Sequence, residues 1–502
     1  MNVHSITKIL LLFIGAIIFN YLFWQENLGL NVLIYSSIIV LTSVLLRPES
    51  RKSPRMYAAL LGVVLTGGMI VYHNSLMAKF THFTSLLVFF GFVNQPSLKA
   101  IFHALPTGVV NFIYAPYAII SNISSSQSEN RPIKKYWRTT KLVLLPLAFF
   151  WVFYVIFYFS NPVFANYSDR FWSTVGEWMV DLLGNVSIPW ILLLLLGIVI
   201  TGWAIFKVNL PYFVRQEERL KDIITRKQKG SRSGVTRFFK MISLKNEFRS
   251  ALYLVIPINV LLLTVNVIDI NWLWFNFEYD GTANLSAFVH EGTYLLIFSI
   301  LLSIGILLYF FRKNLNFFPN KKILVLFASI WILQNFILVI SVGVRNYHYI
   351  HYYGLAYKRI GVMFFLIATV FGLVTLFIKI RKAKTSYYLL RANSWNVYAL
   401  LIVMSLINWD MIIVKHNVNH SLKKNIDLEF LLTLSDKTLP TIHANFHKFE
   451  IDNRYHYRFR NGYKSYLDRR IEGLMRRKEQ TTWKSWNFCE EDAYRYFKSH
   501  GF

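Results

Sequence analysis

The stretch NYHYIHYYGLAYKR, Asn346 to Arg359, holds five tyrosines, two histidines and two cations between two apolar runs. Imidazole, phenol and guanidinium groups can bind anions, carry protons or, for imidazole, ligate metals. His348 and His351 are three residues apart, so on a helix both rings share a face. Zinc sites usually need three or four ligands. The pair is therefore only a weak candidate for a metal site, and we predict no bound metal.

Other ionisable residues fall at the same membrane face if the apolar runs cross a bilayer in order. Ionisable groups at a bilayer are costly and usually face protein or water. They therefore form a candidate polar cluster, which consists of Asp269, His290, Glu291, Arg345, His348, His351, Arg359 and Asp410. One interpretation is a ligand or ion site. The other is structural: an interfacial belt of tyrosines, with the arginines paired to Asp269, Glu291 or Asp410.

Composition identifies the elements that must position this cluster. The chain has 502 residues, of which 55% are hydrophobic and only 16% are charged, against roughly a quarter charged in soluble domains. A helical crossing needs about 20 apolar residues, and the sequence offers about eleven such runs, with ten to twelve possible. We predict an all-α fold, a polytopic transmembrane helical bundle over residues 1–414. A soluble helical tail, residues 415–502, follows it and is called the tail below.

The span count depends on residues 76–123. Leu76–Val93 is counted as a weak span, because it carries Lys79 and His82 but ends in SLLVFFGFV. Ile101–Ile123 contains Pro106, Gly108 and Pro116, and three alternatives stay open for it: lying on the membrane surface, re-entering the bilayer or crossing it.

Charge then orients the bundle. The net charge of +28 comes from cations that lie in loops between apolar runs, which is the pattern of the positive-inside rule rather than of nucleic-acid binding. The densest loop, residues 207–250, is predicted to be cytoplasmic. We expect a multi-pass protein of the bacterial inner membrane with the amino terminus inside and the tail outside. The stretch Asn346–Arg359 departs from the rule, because it is basic although it is predicted to lie outside.

Catalytic motifs are missing from the sequence. HEGTY at residues 290–294 lacks the second histidine of a zincin helix, and there is no phosphate-binding P-loop or GxSxG elbow. The single cysteine, Cys489, excludes an intrachain disulfide. We predict no cofactor, name membrane lipids as partners and leave protein partners open. In the tail, DLEFLLTLSDKTLP predicts a helix ended by Pro440, and GYKSYLDRRIEGLMRRKEQ predicts a second, amphipathic helix.

From about residue 247 to the end, several blocks occur in a characteristic order. They are His290–Glu291 followed by Ser299 and Ser303, Arg345 and Tyr349 with YGLAYKR, NWDMIIVKHN (Asn408–Asn417), DLEFLLTLSDKTLP (Asp427–Pro440) and WKSWN (Trp483–Asn487). In these blocks the chain resembles an uncharacterised bacterial family of polytopic membrane proteins, known as a domain of unknown function. The resemblance implies an integral cytoplasmic-membrane protein with an extramembrane tail, and it implies no activity.

Two positions depart from the pattern of that family. Ala356 stands where threonine is expected, and Lys415–His416 stands where an Arg-Tyr pair is more usual. Both departures argue against indispensable chemistry at these positions. The first functional hypothesis is therefore a membrane protein of unassigned activity with a structural or regulatory role at the cell envelope. The alternatives are a transporter with its polar site at the outer face and, despite the lack of a motif, an enzyme acting on lipid-linked or glycan substrates.

Overall fold

The architecture comes from a computed structural model, described here for residues 3–124, 133–183, 187–207, 211–225, 244–276, 285–312, 314–419, 428–449 and 462–502. Within these ranges the regular structure is helical, apart from one antiparallel bridge between Ile223 and Lys384. The prediction of an all-α polytopic bundle is confirmed.

Nineteen α-helices are present in the described ranges and are numbered in chain order. Those up to the basic loop are α1 (Val3–Phe23), α2 (Leu30–Leu46), α3 (Pro54–His73), α4 (Leu76–Asn94), α5 (Ile101–Ser124), α6 (Ile133–Ser160), α7 (Pro162–Leu183), α8 (Ile188–Ile205) and α9 (Pro211–Glu218). Those that follow are α10 (Leu244–Asp269), α11 (Leu285–Phe310), α12 (Lys321–Tyr353), α13 (Tyr357–Arg381), α14 (Ser386–Ser405), α15 (Trp409–Asn419), α16 (Leu428–Leu431), α17 (Leu439–Ala444), α18 (Tyr463–Gln480) and α19 (Phe488–Ser499).

Eight helices of the described ranges are long and apolar enough to cross a membrane. Two further pairs qualify as broken spans or re-entrant loops: α6 with α7, bent by 118°, and α14 with α15, bent by 62°. The apolar stretches Leu30–Leu46 and Tyr294–Phe310 are shorter. The chain is therefore a multi-pass membrane protein, while the number eleven stays a prediction.

The ambiguous region 76–123 forms two helices that both qualify as spans, over Leu76–Asn94 and Ile101–Ser121. Gly108, one of the residues that left the second segment ambiguous, and Gly91 sit where α4 and α5 touch. A Cβ atom at Gly108 would lie 2.0 Å from the carbonyl oxygen of Leu87. A Cβ atom at Gly91 would lie 2.0 Å from the carbonyl oxygen of Ala104. Glycine at these two positions lets the backbones approach each other, as is common between membrane helices.

Gly108→Ala should therefore lower the melting temperature in detergent, because the added methyl group overlaps backbone and overpacking costs about 1–3 kcal/mol. The matched control is Gly68→Ala on α3, where a Cβ meets nothing within 4 Å. There the change should be neutral or stabilising by about 0.5–1 kcal/mol, since alanine is the better helix former. Equal melting temperatures for the two variants would contradict the close contact between α4 and α5.

The described helices fall into two compact units, residues 1–48 with 109–209 and residues 49–108 with 210–502. In the first unit α8 packs on α1 and α2. Gly15 of α1 leaves room for Thr201, whose hydroxyl group lies 2.8 Å from that of Tyr35. Arg47 donates to the carbonyl oxygen of Ala204 at 2.9 Å, so the end of α2 is held against the end of α8.

The second unit has two apolar centres. The first lies among α10, α11, α12 and α13 around the fully buried Trp331, whose indole nitrogen donates to Ser303 at 3.2 Å. The second joins α15 to the tail, where Ile413, Leu431, Ile471 and Phe497 are buried together. The tail thus shares a core with α15, which runs through the predicted boundary at residue 414.

One tail prediction is wrong in detail. The leucines of DLEFLLTLSDKTLP do not form one helix ending at Pro440: α16 is a single turn, a 3-10 turn follows at Asp436–Thr438, and Pro440 lies in the first turn of α17. Proline suits that position, because the first residues of a helix need no donor for an intrahelical bond. The second predicted helix is confirmed as α18.

Candidate functional site

A ladder of polar contacts joins α10 to α12. The side-chain amide of Asn259 donates to the backbone carbonyl oxygen of Phe327 at 3.2 Å and accepts from the side-chain amide of Gln334 at 3.0 Å. The side-chain amide of Asn266 donates to the backbone carbonyl oxygen of Gln334 at 3.1 Å. Positions seven residues apart return to nearly the same helix face, which explains the spacing of 259 and 266 and of 327 and 334. All three amide side chains belong to residues that are more than nine-tenths buried.

The ladder ends in a buried ion pair. Arg345 donates to the Asp269 carboxylate at 2.7 Å, and the two side chains are 10% and 6% exposed. Asp269 is the last residue of α10, and a π-helical turn over Ile270–Phe275 follows it. The pairing of Arg345 with Asp269 was one of the structural alternatives predicted above.

The π-helical turn places two further groups against the end of α12. The indole nitrogen of Trp274 donates to Ser341 at 3.1 Å, and the His348 ring nitrogen Nε2 lies 3.4 Å from the carbonyl oxygen of Leu273. Asp269, Arg345 and His348 are therefore brought together where α10 and α12 end.

Arg359 closes the turn between α12 and α13. Its guanidinium group donates to the carbonyl oxygens of Tyr353, at 2.8 Å, and Gly354, and its central carbon lies 4.1 Å from the centre of the Tyr349 ring. Gly354 has a φ of +76°, a conformation that favours glycine. Arginine planes stack well on aromatic faces, so part of the tyrosine-rich stretch serves to hold this cation.

Asp410 has other partners than the rest of the cluster. Its carboxylate lies 2.9 Å from the Lys437 ammonium group and accepts from the Ser435 hydroxyl group. Lys437 also donates to the carbonyl oxygen of His73 at 2.8 Å. Through Lys437, the tail is therefore joined both to Asp410 of α15 and to the end of α3, a link that sequence reasoning did not foresee.

One predicted residue that the structure describes, His351, stays apart from these contacts. His351 is exposed, and its ring stacks at 6.5 Å on Tyr347. The side chains of His290 and Glu291, at the start of α11, lie outside the described residues. Among the residues that the structure describes, no group of three or more His, Cys, Asp or Glu side chains could hold a metal ion.

A second site lies where α3 begins and α4 ends. It was not predicted from the sequence. A cavity of about 320 Å³ opens where the α4–α5 loop, the segment 211–222 and the start of α14 meet. Its lining residues are Ser97, Lys99, Val214, Glu217, Glu218, Leu220, Lys221, Asp222, Tyr387 and Arg391.

Glu217 is the buried centre of this site. One carboxylate oxygen accepts from the Tyr387 hydroxyl group at 2.5 Å and lies 3.6 Å from His103 Nδ1, and the other accepts from the backbone N–H of Lys99 at 2.8 Å. Both oxygens thus have donors from the protein. The arrangement positions α9 against the α4–α5 loop and α14, and it does not present a free general base.

The carboxylate of Asp222 forms the second link. It pairs with Arg391 at 2.8 Å, and the backbone oxygen of Asp222 accepts from the N–H of Thr385 at 3.0 Å. Glu217 and Asp222, two of the few acidic residues in this basic loop, were the available sequence signal. Their partners, more than a hundred residues away, leave no periodic pattern to detect.

The family whose model is described as Domain of unknown function (DUF4153) matches residues 11–445. The similarity therefore begins near the amino terminus, and not at about residue 247 as the sequence blocks indicated. No curated protein and no solved structure matches the chain.

Proposed function

The chain belongs to the family described as Domain of unknown function (DUF4153), and we propose that it has a structural or regulatory role at the cell envelope. The observation that carries this proposal is how the charges of the predicted cluster are used. Asp269 bonds to Arg345, Asp410 bonds to Lys437, and Arg359 bonds to backbone carbonyl oxygens. Charges bonded in this way stabilise helix ends instead of meeting a ligand.

The proposed location is the bacterial inner membrane, with the basic loops inside and the tail outside. Two observations support it. Near the start of α3, Arg55 donates to the carbonyl oxygen of Leu98 at 3.2 Å, in the same loop as Lys99, the donor to Glu217. At the far end of α3, Lys437 of the tail donates to His73. Basic segments thus gather at one end of this helix and the tail at the other, in accord with the positive-inside rule.

Charge reversal tests the structural role. Asp269→Arg and Arg345→Asp should each lower the free energy of unfolding by at least about 3–5 kcal/mol, the cost of breaking a buried ion pair, because each also leaves a buried charge beside a like charge. The double variant should recover most of that loss, since the pair is re-formed with reversed polarity. The measurements are the amount of folded protein in membranes and the melting temperature in detergent.

Lys358→Asp is the matched control, because Lys358 is an exposed cation of the same turn. It should melt like the wild-type protein. If instead the single Asp269 and Arg345 variants kept the wild-type melting temperature while cells lost an envelope phenotype, the cluster would be a ligand site and the structural proposal would fail.

One observation favours the transporter alternative. Asn266 Oδ1, Gln334 Oε1 and Asp269 Oδ2 are buried acceptors that receive no hydrogen bond from the described residues. Buried acceptors of this kind are usually met by ordered water, which a polar pathway between α10 and α12 would contain. Transport predicts the second outcome above, in which the single variants fold but lose function.

A further inference from the structure

The cavity around Glu217 lies where candidate membrane spans end. It is lined by the loop between two candidate spans, α4 and α5, and by the first turn and a half of α14. The ends of apolar helices meet the lipid headgroups, so groups that line this cavity are at headgroup level. Its volume of about 320 Å³ is at the low end of the roughly 300–1,000 Å³ range of small-molecule sites.

The walls of the cavity are held by bonds within the protein. The indole nitrogen of Trp395 donates to the carbonyl oxygen of Lys99 at 3.1 Å, and the Thr385 hydroxyl group donates to the carbonyl oxygen of Lys221 at 2.6 Å. Together with the bonds of Glu217 and Arg391, these contacts fix both backbone segments from which the rim lysines extend. A site fixed in this way loses little conformational freedom when a ligand binds.

Three charged side chains at the rim are exposed and make no ion pair with the described residues: Lys99, Lys221 and Glu218. A fourth group is incompletely bonded. Asp222 Oδ1 is buried and receives no hydrogen bond from the described residues, although Oδ2 pairs with Arg391. A buried acceptor without a donor is costly. The cavity therefore offers two ammonium groups that form no ion pair within the described ranges, for an anion, and two carboxylate acceptors for a cationic donor.

We propose that this cavity binds a phosphoethanolamine group, with the phosphate between Lys99 and Lys221 and the ammonium group at Glu218 and Asp222 Oδ1. Val214 and Leu220 supply the apolar part of the lining, on which the methylene carbons of the ligand can pack. The shared chemistry is a phosphate ester of ethanolamine, carried by a membrane phospholipid or by a soluble metabolite. This site is independent of the proposed structural role.

The mixed charge of the cavity argues against other phosphate ligands. Glu217, Glu218 and Asp222 would repel a polyphosphate or a nucleotide, whereas a zwitterion complements both signs. A lipid with phosphate and no amine could use the two lysines alone. It should therefore bind more weakly than the phosphoethanolamine lipid, and this difference is the signature to measure.

The test is native mass spectrometry of the delipidated full-length protein with added phosphatidylethanolamine or phosphatidylglycerol. We expect the wild-type protein to prefer phosphatidylethanolamine. Lys99→Ala with Lys221→Ala should weaken binding of both lipids about tenfold, the loss expected for a charge-assisted hydrogen bond. Glu218→Gln should remove the preference and leave phosphatidylglycerol binding unchanged.

Lys52→Ala is the matched control, because Lys52 is an exposed cation next to α3 and is not part of the cavity lining. It should leave the binding of both lipids unchanged. A loss equal to that of the double-lysine variant would mean unspecific attraction to surface charge and would overturn the proposal, as would a wild-type protein without lipid preference. All variants change exposed side chains, so their melting temperatures should match the wild type.

Soluble phosphoethanolamine identifies the source of the ligand. If it displaces phosphatidylethanolamine at comparable concentration, the cavity recognises the headgroup alone, and a soluble ester suffices. If the lipid stays bound, acyl-chain contacts contribute, and the ligand is the membrane phospholipid. Both results support the phosphoethanolamine assignment, whereas binding of neither form would overturn it.

Discussion

Lys437→Ala is expected to detach the tail from the end of α3 and to destabilise the protein by about 3–5 kcal/mol, the usual cost of breaking a buried ion pair. The Lys437 side chain is 2% exposed and bonds at once to the Asp410 carboxylate and to the carbonyl oxygen of His73. Without it, Asp410 stays buried, and the Ser435 hydroxyl group is the donor left to it among the described residues.

Two measurements on the purified protein check this expectation. The melting temperature in detergent should fall, and thermolysin, which does not cleave at lysine, should release tail fragments faster than from the wild-type protein. Lys464→Ala is the matched control, because Lys464 is an exposed lysine of the same tail and its loss should change neither quantity.

A charge-neutral double variant separates the loss of the charge pair from the loss of packing. Lys437→Met with Asp410→Asn removes both charges and keeps the side-chain volumes, so it should recover much of the stability lost in Lys437→Ala. If Lys437→Ala melted and was cleaved like the wild-type protein, the contact between the tail and α3 would not exist as described.

Hydropathy predicted the bundle because every helix that crosses a bilayer must satisfy its own backbone and be apolar over its length. The same reasoning explains the uncertainty at residues 101–123. Glycine and proline were interpreted as possible breaks, whereas Gly108 serves the approach of α5 to Leu87. A single sequence does not show whether a glycine interrupts a helix or allows a neighbour to come close.

The polar cluster was predicted in part for a related reason. Membrane topology placed Asp269 and Arg345 at one face, and their pairing follows from the short list of charges there. It could not show that Asp410 bonds to Lys437, because the side on which a long tail folds is not set by hydropathy or loop charge. Glu217 was missed because its partners Lys99 and Tyr387 are 118 and 170 residues away in the chain.

The basic stretch Asn346–Arg359, which we predict to lie at the outer face, is a small departure from the positive-inside rule. The rule counts the lysines and arginines of short loops and of the residues next to the spans. Arg345 is paired with Asp269, and Arg359 is held by two carbonyl oxygens and an aromatic ring. Lys358 is then the exposed cation of this turn, which is a small charge beside that of the loop at residues 207–250.

Thiol labelling should place residue 479 outside the inner membrane and residue 52 inside. The natural thiol is a poor reporter, because Cys489 is half-buried and burial raises its pKa, while maleimides react with the thiolate. Glu479 and Lys52 are both exposed. The reporters are therefore Glu479→Cys and Lys52→Cys, each in a Cys489→Ala background, in cells with a permeabilised outer membrane.

An impermeant maleimide should label the Glu479→Cys protein before lysis and the Lys52→Cys protein only after lysis. The reverse pattern would invert the molecule, so that the tyrosine-rich stretch faced the cytoplasm and the basic loops faced outward, against the charge rule. Labelling of both proteins before lysis, or of both only after lysis, would mean that the two residues lie on the same side of the membrane and would contradict the structure. Residue 52 lies at the start of α3, and the tail bonds to His73 at its end, so the two reporters can share a side only if α3 does not cross the membrane.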